Sequence, residues 1–490
     1  MMVIPAIAKC RIQTTNVILN YRTSTNSRPQ QAISGLIYRH LNPNKKTHKP
    51  RPACVKEAIM EKTGVAIVGM GTVGTGVAQL LLDHGDRTGR HAGRTLWLTH
   101  VVVRDLNRSR DVNLPQGLLT DDLNRVLNDD SVSVVAQLIG GIEPARSIML
   151  QILESGKDVI TANKALLAEH GPELFDRARE LGRSIAFEAS VAGGIPIITS
   201  MSQCLSANQI VSMRGILNGT SNYIVTRMDQ DGATYEDALA EAQRLGFAEA
   251  DPAFDVDGTD AAQKLAILAH LAFGARIHWS DISRRGIDSL DLSDFRYAGL
   301  LGYRIKLIAY ARLKNEGLQL SVAPMLVKIG SPLGEVRENY NAVSVVGDAV
   351  GPVFLHGQGA GQMPTASAVV ADIIDTAVGR TGITFKTLEL WSDQAPRTNL
   401  ASRGDMKGSF YLRLNVDNQP TVLAQIAGVL GDYEVSIASV FQHNADVSDT
   451  NTVPLVIVTD KAPEANAEQA VNQIEELTCV KGAAERLRIL

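Results

Sequence analysis

Between Phe247 and Leu268 the chain reads FAEADPAFDVDGTDAAQKLAIL. Glu249, Asp251, Asp255, Asp257 and Asp260 are followed one helical turn later by a lysine, Lys264. Asp260 and Lys264 are four residues apart, and on a helix such a pair shares a face. Together they can grip opposite ends of a small zwitterion. The ammonium can also stabilise negative charge developing on a carbonyl oxygen, or deliver a proton to it. By spacing alone, an i,i+4 surface ion pair worth about 0.3–0.5 kcal/mol ranks first.

These side chains need elements to hold them. Val65–Val68 is a short β-branched run, GMGTVG follows at 69–74, and GVAQLLLDHG then looks helical. Gly69, Gly71 and Gly74 therefore fit G-x-G-x-x-G between a strand and a helix. There, glycines permit a tight turn and close approach of Thr72, Val73 and the helix N-terminus to a pyrophosphate. The next strand, LWLTHVVVRD (96–105), ends on Arg104 and Asp105. A guanidinium at that place can fork onto a 2′-phosphate, which points to NADP, while Asp105 keeps NAD open. VSVVAQLIGG (132–141) and KDVITANK (157–164) read as further buried strands. Ligands in open parallel sheets sit beyond the carboxyl ends of the strands, so Gly140, Gly141, Thr161, Asn163 and Lys164 fall at the mouth of a crevice.

Further along, RGILNGTSNYIVTRM (214–228) runs from a strand-like start into small donors and acceptors at a helix start. GQGAGQMPTASAVVADIID (357–375) is a second glycine-rich turn entering a helix, where Gly361 can approach the cofactor or the substrate. In their order along 65–375, GMGTVG, TANKALL, FEASVAGGIPII, GILNGTSNYI, AEADPAFDVDGTDAAQK and GAGQMPTASAVVADI resemble homoserine dehydrogenase. The ending, 409–490, resembles an ACT domain, and without an aspartate kinase portion ahead of the dehydrogenase motifs the chain resembles the monofunctional form.

The resemblance implies a reversible reduction of L-aspartate 4-semialdehyde to L-homoserine by NADPH or NADH. It places the family's two lysines at Lys164 and Lys264. Glu249 and Asp260 fall on its substrate-binding acids, Asp255 on a further acid nearby, and Gly219 and Thr220 on the substrate. It also implies a monovalent cation, usually Na+, held by Glu188 and the carbonyls of Val191, Gly193 and Ile195. The helix after Gly361 is expected to return onto the nucleotide domain, and Lys306 is expected to be structural.

The implied fold class is α/β. A Rossmann-type nucleotide-binding domain (60–187, completed by 345–378) precedes an α+β substrate and dimerisation domain (188–344). A polar linker (379–408) and a ferredoxin-like ACT domain (409–490) complete it. The order β-α-β-β-α after 409, with AAERLRIL as a last strand, fits the ferredoxin-like arrangement. Threonine feedback is the family expectation. ACT domains often carry glycine after the proline of their first loop, but Pro420 is followed by Thr421. A ligand-free assembly module is therefore the competing reading.

Composition sets outer bounds. The chain has 490 residues, enough for two to four domains, and a formal net charge of −4 that suggests neither nucleic acid nor membrane as partner. No apolar run approaches the ~18–20 residues of a membrane span. Cys10, Cys54, Cys204 and Cys479 lack disulfide or metal-ligand spacing, which suits a reducing, cytoplasmic setting. Residues 1–59 hold ten Lys and Arg against one acid, Glu57. They read as a transit peptide, a basic tail or a dispensable extension. A homodimer or homotetramer is expected. An aspartate-type dehydrogenase would not need Asp260 and Lys264 together with NGTSNY. An acyl-phosphate-forming dehydrogenase would need a crevice cysteine, a role for which Cys204 is poorly suited. An amino-acid sensor would not need the intact glycine set and both lysines.

Overall fold

The computed structural model describes residues 61–391, 398–402, 404, 406–442 and 452–490. The basic segment 1–59 lies outside them.

The alternation of β-branched runs with helices builds a parallel sheet from Lys62–Val68, Thr95–Val102, Leu119–Thr120, Val132–Gln137, Asp158–Thr161 and Ile185–Ala186. Numbered along the chain, its order is 3-2-1-4-5-6. In this doubly wound order the connections from the first and fourth strands leave in opposite directions and open a crevice beyond their carboxyl ends. Val65, Ala66 and Ile67 of the first strand have no solvent exposure, as expected where helices cover both faces of a parallel sheet. The helix Gln362–Ala377 packs on the helix Thr72–Asp83, and Gly76 lets it in, since a Cβ there would come within 2.9 Å of the Ala366 Cβ. The return expected of this helix is thus observed.

A second, mixed sheet begins with Gly351–Gln358, Tyr340–Gly347, Ile210–Ile216, Tyr303–Lys314 and Gly317–Lys328 as antiparallel neighbours in that order. It does not stop there. The last strand of the chain, Glu485–Ile489, runs parallel to Gly317–Lys328, pairing Arg488 with Met325 and Ile489 with Leu326. Lys407–Asp417, Thr452–Thr459 and Ile437–Gln442 follow. The C-terminal strands therefore lie in the order 4-1-3-2, with the helices Val422–Asp432 and Glu464–Glu475 packed over Phe410, Leu412, Leu414 and Ile457. This is the expected ferredoxin-like unit, but it extends the sheet of the middle region instead of forming a separate one.

The polar stretch read as a linker opens with a helix, Arg380–Leu388. Its Phe385 stacks on Phe175 at 5.3 Å, and Trp391 lies 4.5 Å from the same ring. Two buried aromatic residues anchor this part of the stretch to the core.

Candidate active site

The helix Thr259–Phe273 starts after Gly258, which is left-handed at φ 86°. Asp257 accepts hydrogen bonds from the backbone N–H and hydroxyl of Thr259, so it serves the helix start. Asp251 does the same locally by accepting from the N–H of Ala253. Ala262, Leu265, Ala266 and Ala269 point into the core, which leaves Asp260 and Lys264 to face the end of the strand Ile210–Ile216. Lys264 Nζ donates to Asp260 Oδ2 at 2.7 Å and to the carbonyl of Leu217 at 2.7 Å.

A second lysine reaches the same carboxylate. Lys164 opens the helix Lys164–Glu180 just beyond the strand Asp158–Thr161, at the carboxyl edge of the parallel sheet. Its Nζ lies 3.3 Å from Asp260 Oδ1. Asn163 holds that corner in place. Its Oδ1 caps the helix by accepting from the N–H of Leu166, and its Nδ2 donates to the carbonyls of Ile139 and Gly141. Asp260 is therefore shared between lysines from the nucleotide-binding sheet and from the middle region. With only 6% exposure it is no surface ion pair.

Asp255 completes the cluster. Asn218 Nδ2 donates to Asp255 Oδ1 at 2.7 Å and to Asp260 Oδ2 at 2.8 Å. Burial pushes the Asp260 carboxyl up, but the adjacent Lys264 and Lys164 outweigh it and hold it down at about 2. Asp255 is displaced the other way: burial raises it, the bond from Asn218 opposes the rise, and the charge of Asp260 adds to it.

Gly219 and Thr220 begin the helix Gly219–Asp231 beside the cluster, and the Thr220 hydroxyl donates to the carbonyl of Phe247. A Cβ at Gly219 would press on the carbonyl of Asn339 at 2.6 Å. Glu249 is not brought in: it lies exposed on the loop after Phe247, and its backbone carbonyl accepts from Gln243. Lys306 is buried elsewhere, donating to Asn222, Thr226 and the carbonyl of Val336.

The three motif glycines do different jobs. Gly69 turns the chain at φ 101°, a Cβ on Gly74 would collide with the carbonyl of Gly69, and a Cβ on Gly71 would meet nothing. Gly71 thus faces open space at the head of the helix Thr72–Asp83, whose first turn, with Thr72 and Val73, has no side-chain cap. Free N–H groups behind an unobstructed backbone suit a pyrophosphate. Gly140 and Gly141 are exposed across the crevice, again with nothing near a Cβ. Gly361, at φ 119°, heads the helix that packs on this one. Arg104 is exposed just past the second strand. Asp105 is engaged locally, its carboxylate accepting from the N–H of Asn107 and its carbonyl from Arg110.

For the cation, the donor set fits only in part. The turn runs through left-handed Ala192 and Gly193, and backbone carbonyls such as those of Val191, Gly193 and Ile195 are the hard oxygen ligands such an ion prefers, while the Ala192 carbonyl accepts from the N–H of Ile195. The Ile195 carbonyl also accepts from the N–H of Ile197. The Glu188 carboxylate is engaged: Oε1 accepts from the N–H of Ile198, and Oε2 from the N–H and hydroxyl of Thr199. Among the described residues, no group of three or more His, Cys, Asp or Glu is arranged to hold a metal ion.

Sequence places Asn163 only at the crevice mouth and gives Asn218 no role of its own. Their signal was a small polar residue at a helix start, which local pattern reads as a cap and no more.

Comparison with known proteins agrees with this geometry. The profile of the homoserine dehydrogenase NAD binding domain matches residues 69–188, that of homoserine dehydrogenase matches 196–374, and that of the ACT domain matches 410–476. A homoserine dehydrogenase from Pseudomonas aeruginosa is 40% identical over 433 residues, covering 88% of this chain and 99% of the relative. One from Bacillus subtilis is 37% identical over 434 residues, with coverage of 88% and 99%. The crystal structure of a homoserine dehydrogenase from Thiobacillus denitrificans matches with a TM-score of 0.81 at 40% identity, over 88% of this chain and 99% of that one. A hyperthermophilic archaeal homoserine dehydrogenase in complex with NADPH matches with a TM-score of 0.52 at 26% identity, over 64% of this chain and 97% of that one. With a nucleotide-binding sheet, a shared-carboxylate lysine pair and relatives matched over nearly their whole length, the chain belongs to the homoserine dehydrogenase family of oxidoreductases, in the form that carries an ACT domain.

Proposed function

We propose that the protein interconverts L-aspartate 4-semialdehyde and L-homoserine, on the shared route to threonine, methionine and isoleucine. The observation that carries this reading is Asp260, set between Lys164 and Lys264 where the parallel sheet meets the middle region. A nicotinamide supplies or accepts the hydride when bound. Lys264 then faces the oxygen that gains or loses charge and handles its proton, and Lys164 assists or positions. Asp260, whose Oδ1 lies 3.3 Å from Lys164, is assigned to the substrate's α-ammonium. Asp255 and Glu249 supply the remaining negative charge, Glu249 by movement of its loop. Gly219 and Thr220 border the same space.

The exposed Arg104 and the locally engaged Asp105 favour NADP(H) over NAD(H). The archaeal relative described in complex with NADPH is in keeping with that preference. A sodium ion would be held by the carbonyls of Val191, Gly193 and Ile195, with Glu188 fixing the turn. We further assign 60–187 to the cofactor, completed not by all of 345–378 but by the helix Gln362–Ala377, since Tyr340–Gly347 and Gly351–Gln358 pair into the second sheet. Those strands join 188–344 in serving the substrate and dimerisation, 379–408 is a connection, and 409–490 is assigned to regulation, with threonine as the expected effector. The working form is a cytoplasmic homodimer or homotetramer. Among the described residues no helix is long and apolar enough to cross a membrane.

Homoserine oxidation with each cofactor, with and without threonine, tests this. The expected result is homoserine-dependent reduction of NADP⁺, with Arg104→Ala raising the KM for NADP⁺ by about tenfold, the low end for one lost charge-assisted bond. Absence of homoserine-dependent reduction with either cofactor overturns the reading.

A further inference from the structure

We propose that Asn218 is a positioning residue of this site: its single amide group holds the carboxylates of Asp255 and Asp260 side by side, both ionised, within reach of Lys264. The inference rests on the substrate-site reading above and deepens it.

The orientation of the amide is set by its surroundings. Asn218 Oδ1 accepts from the N–H of Ser221 at 2.7 Å, capping the helix Gly219–Asp231. Its NH2 must then point the other way. The two N–H bonds of that group go one to each acid, to Asp255 Oδ1 at 2.7 Å and to Asp260 Oδ2 at 2.8 Å. Asn218 is itself only 5% exposed. The preceding residue contributes as well, because the carbonyl of Leu217 accepts from Lys264 Nζ. The end of one strand thus touches both acids and the lysine.

Two carboxylates that share one nitrogen partner are close enough to repel, and in a buried setting such repulsion moves a proton onto one of them. Asp255 is the member that would take it. It faces Asp260 and Lys264 on the helix Thr259–Phe273 and Lys164 on the helix Lys164–Glu180, and of its neighbours Asn218 is the side chain bonded to it. A protonated Asp255 no longer attracts an α-ammonium. An amide is well suited to the position because it gives two donors and carries no charge. Serine keeps an acceptor for the helix cap but has one donor, and aspartate keeps the cap but has none.

Asn218→Ser and Asn218→Asp therefore separate capping from positioning. The measurement is kcat/KM for homoserine against pH, with the KM for NADP⁺ and the melting temperature recorded beside it. For Asn218→Ser we expect a melting temperature near that of the unmodified protein and an acid limb moved upward by about one pH unit, since roughly one lost hydrogen bond corresponds to that shift. Below the limb this is a loss of about tenfold in kcat/KM through the KM for homoserine, while the KM for NADP⁺ stays unchanged. Asn218→Asp moves the limb further. An unshifted acid limb in either folded variant overturns the proposal. So does a loss that is uniform with pH, or failure of both variants to fold, since either makes Asn218 a helix cap alone. A wild-type enzyme with no homoserine-dependent activity would instead sink the substrate reading itself.

Discussion

Lys264 Nζ and Asp260 Oδ2 lie 2.7 Å apart across one turn of the same helix, and the other oxygen of that carboxylate lies 3.3 Å from Lys164. A spacing typical of solvated helix faces here belongs to a three-residue cluster around a buried carboxylate. It joins a helix of the middle region to the mouth of the nucleotide-binding sheet.

On the proposed mechanism, replacing Lys264 by alanine removes the ammonium assigned to the reacting oxygen. Turnover should fall by about 10²–10⁴-fold, the range for a lost proton-transfer group. Cofactor affinity, measured by fluorescence titration, should change little, because the glycine turn is contributed by a different sheet. Near-normal turnover in Lys264→Ala would remove the residue from the chemistry.

Gly71 and Gly74 should separate binding from folding. A Cβ at Gly71 meets no protein atom, and φ there is −81°, which any residue adopts. Gly71→Ala should keep its melting temperature and lose cofactor affinity. At Gly74 a Cβ would strike the carbonyl of Gly69, so Gly74→Ala should lose about 1–3 kcal/mol of stability, as overpacked sites do. Equal melting temperatures for both variants would contradict this division.

The Asp260 carboxyl, held at about 2 against an ordinary 3.8, makes stability depend on pH. Its folded value is depressed, so its contribution is complete above the unfolded value and is lost as pH falls through the folded one. The window runs from about pH 4 to about pH 2, and the amount is about 2 kcal/mol. Denaturant unfolding across that window should show a smaller drop for Asp260→Asn than for the unmodified chain. Equal drops would mean that the lysines do not stabilise its charge.

The junction with the C-terminal unit is held by Asp294, which has no exposure and accepts from Arg413 Nε at 2.6 Å, Arg413 Nη2 at 3.0 Å and the Tyr411 hydroxyl at 3.0 Å. Asp294→Ala would strand a largely buried guanidinium, a change that costs about 3–5 kcal/mol. Unfolding of the full chain by urea should show it. A loss below about 1 kcal/mol would mean that sheet continuity, not this cluster, holds the junction.

Much of the arrangement was legible in sequence because its causes are local. The strand–GMGTVG–helix run needs only adjacent residues to define a phosphate-binding turn. The ferredoxin-like order after 409 follows from period and turn chemistry. The i,i+4 relation of Asp260 and Lys264 is a property of one helix. Assigning that pair to a substrate site came from resemblance, since spacing alone favoured a surface ion pair. What the local pattern could not contain is contact between distant segments. Lys164 reaches Asp260 across nearly a hundred residues of chain, Asn218 bridges two acids that follow it by 37 and 42 positions, and the last strand pairs with Gly317–Lys328. Glu249 shows the converse, an acid of suitable type and spacing that the folded loop leaves outside the cluster. Sequence by itself determined which elements form and which chemistries they carry, because backbone propensity and periodicity act over a few residues. Only the tertiary structure decided which charges share a carboxylate, because burial and long-range packing select those pairings from many that the sequence allows.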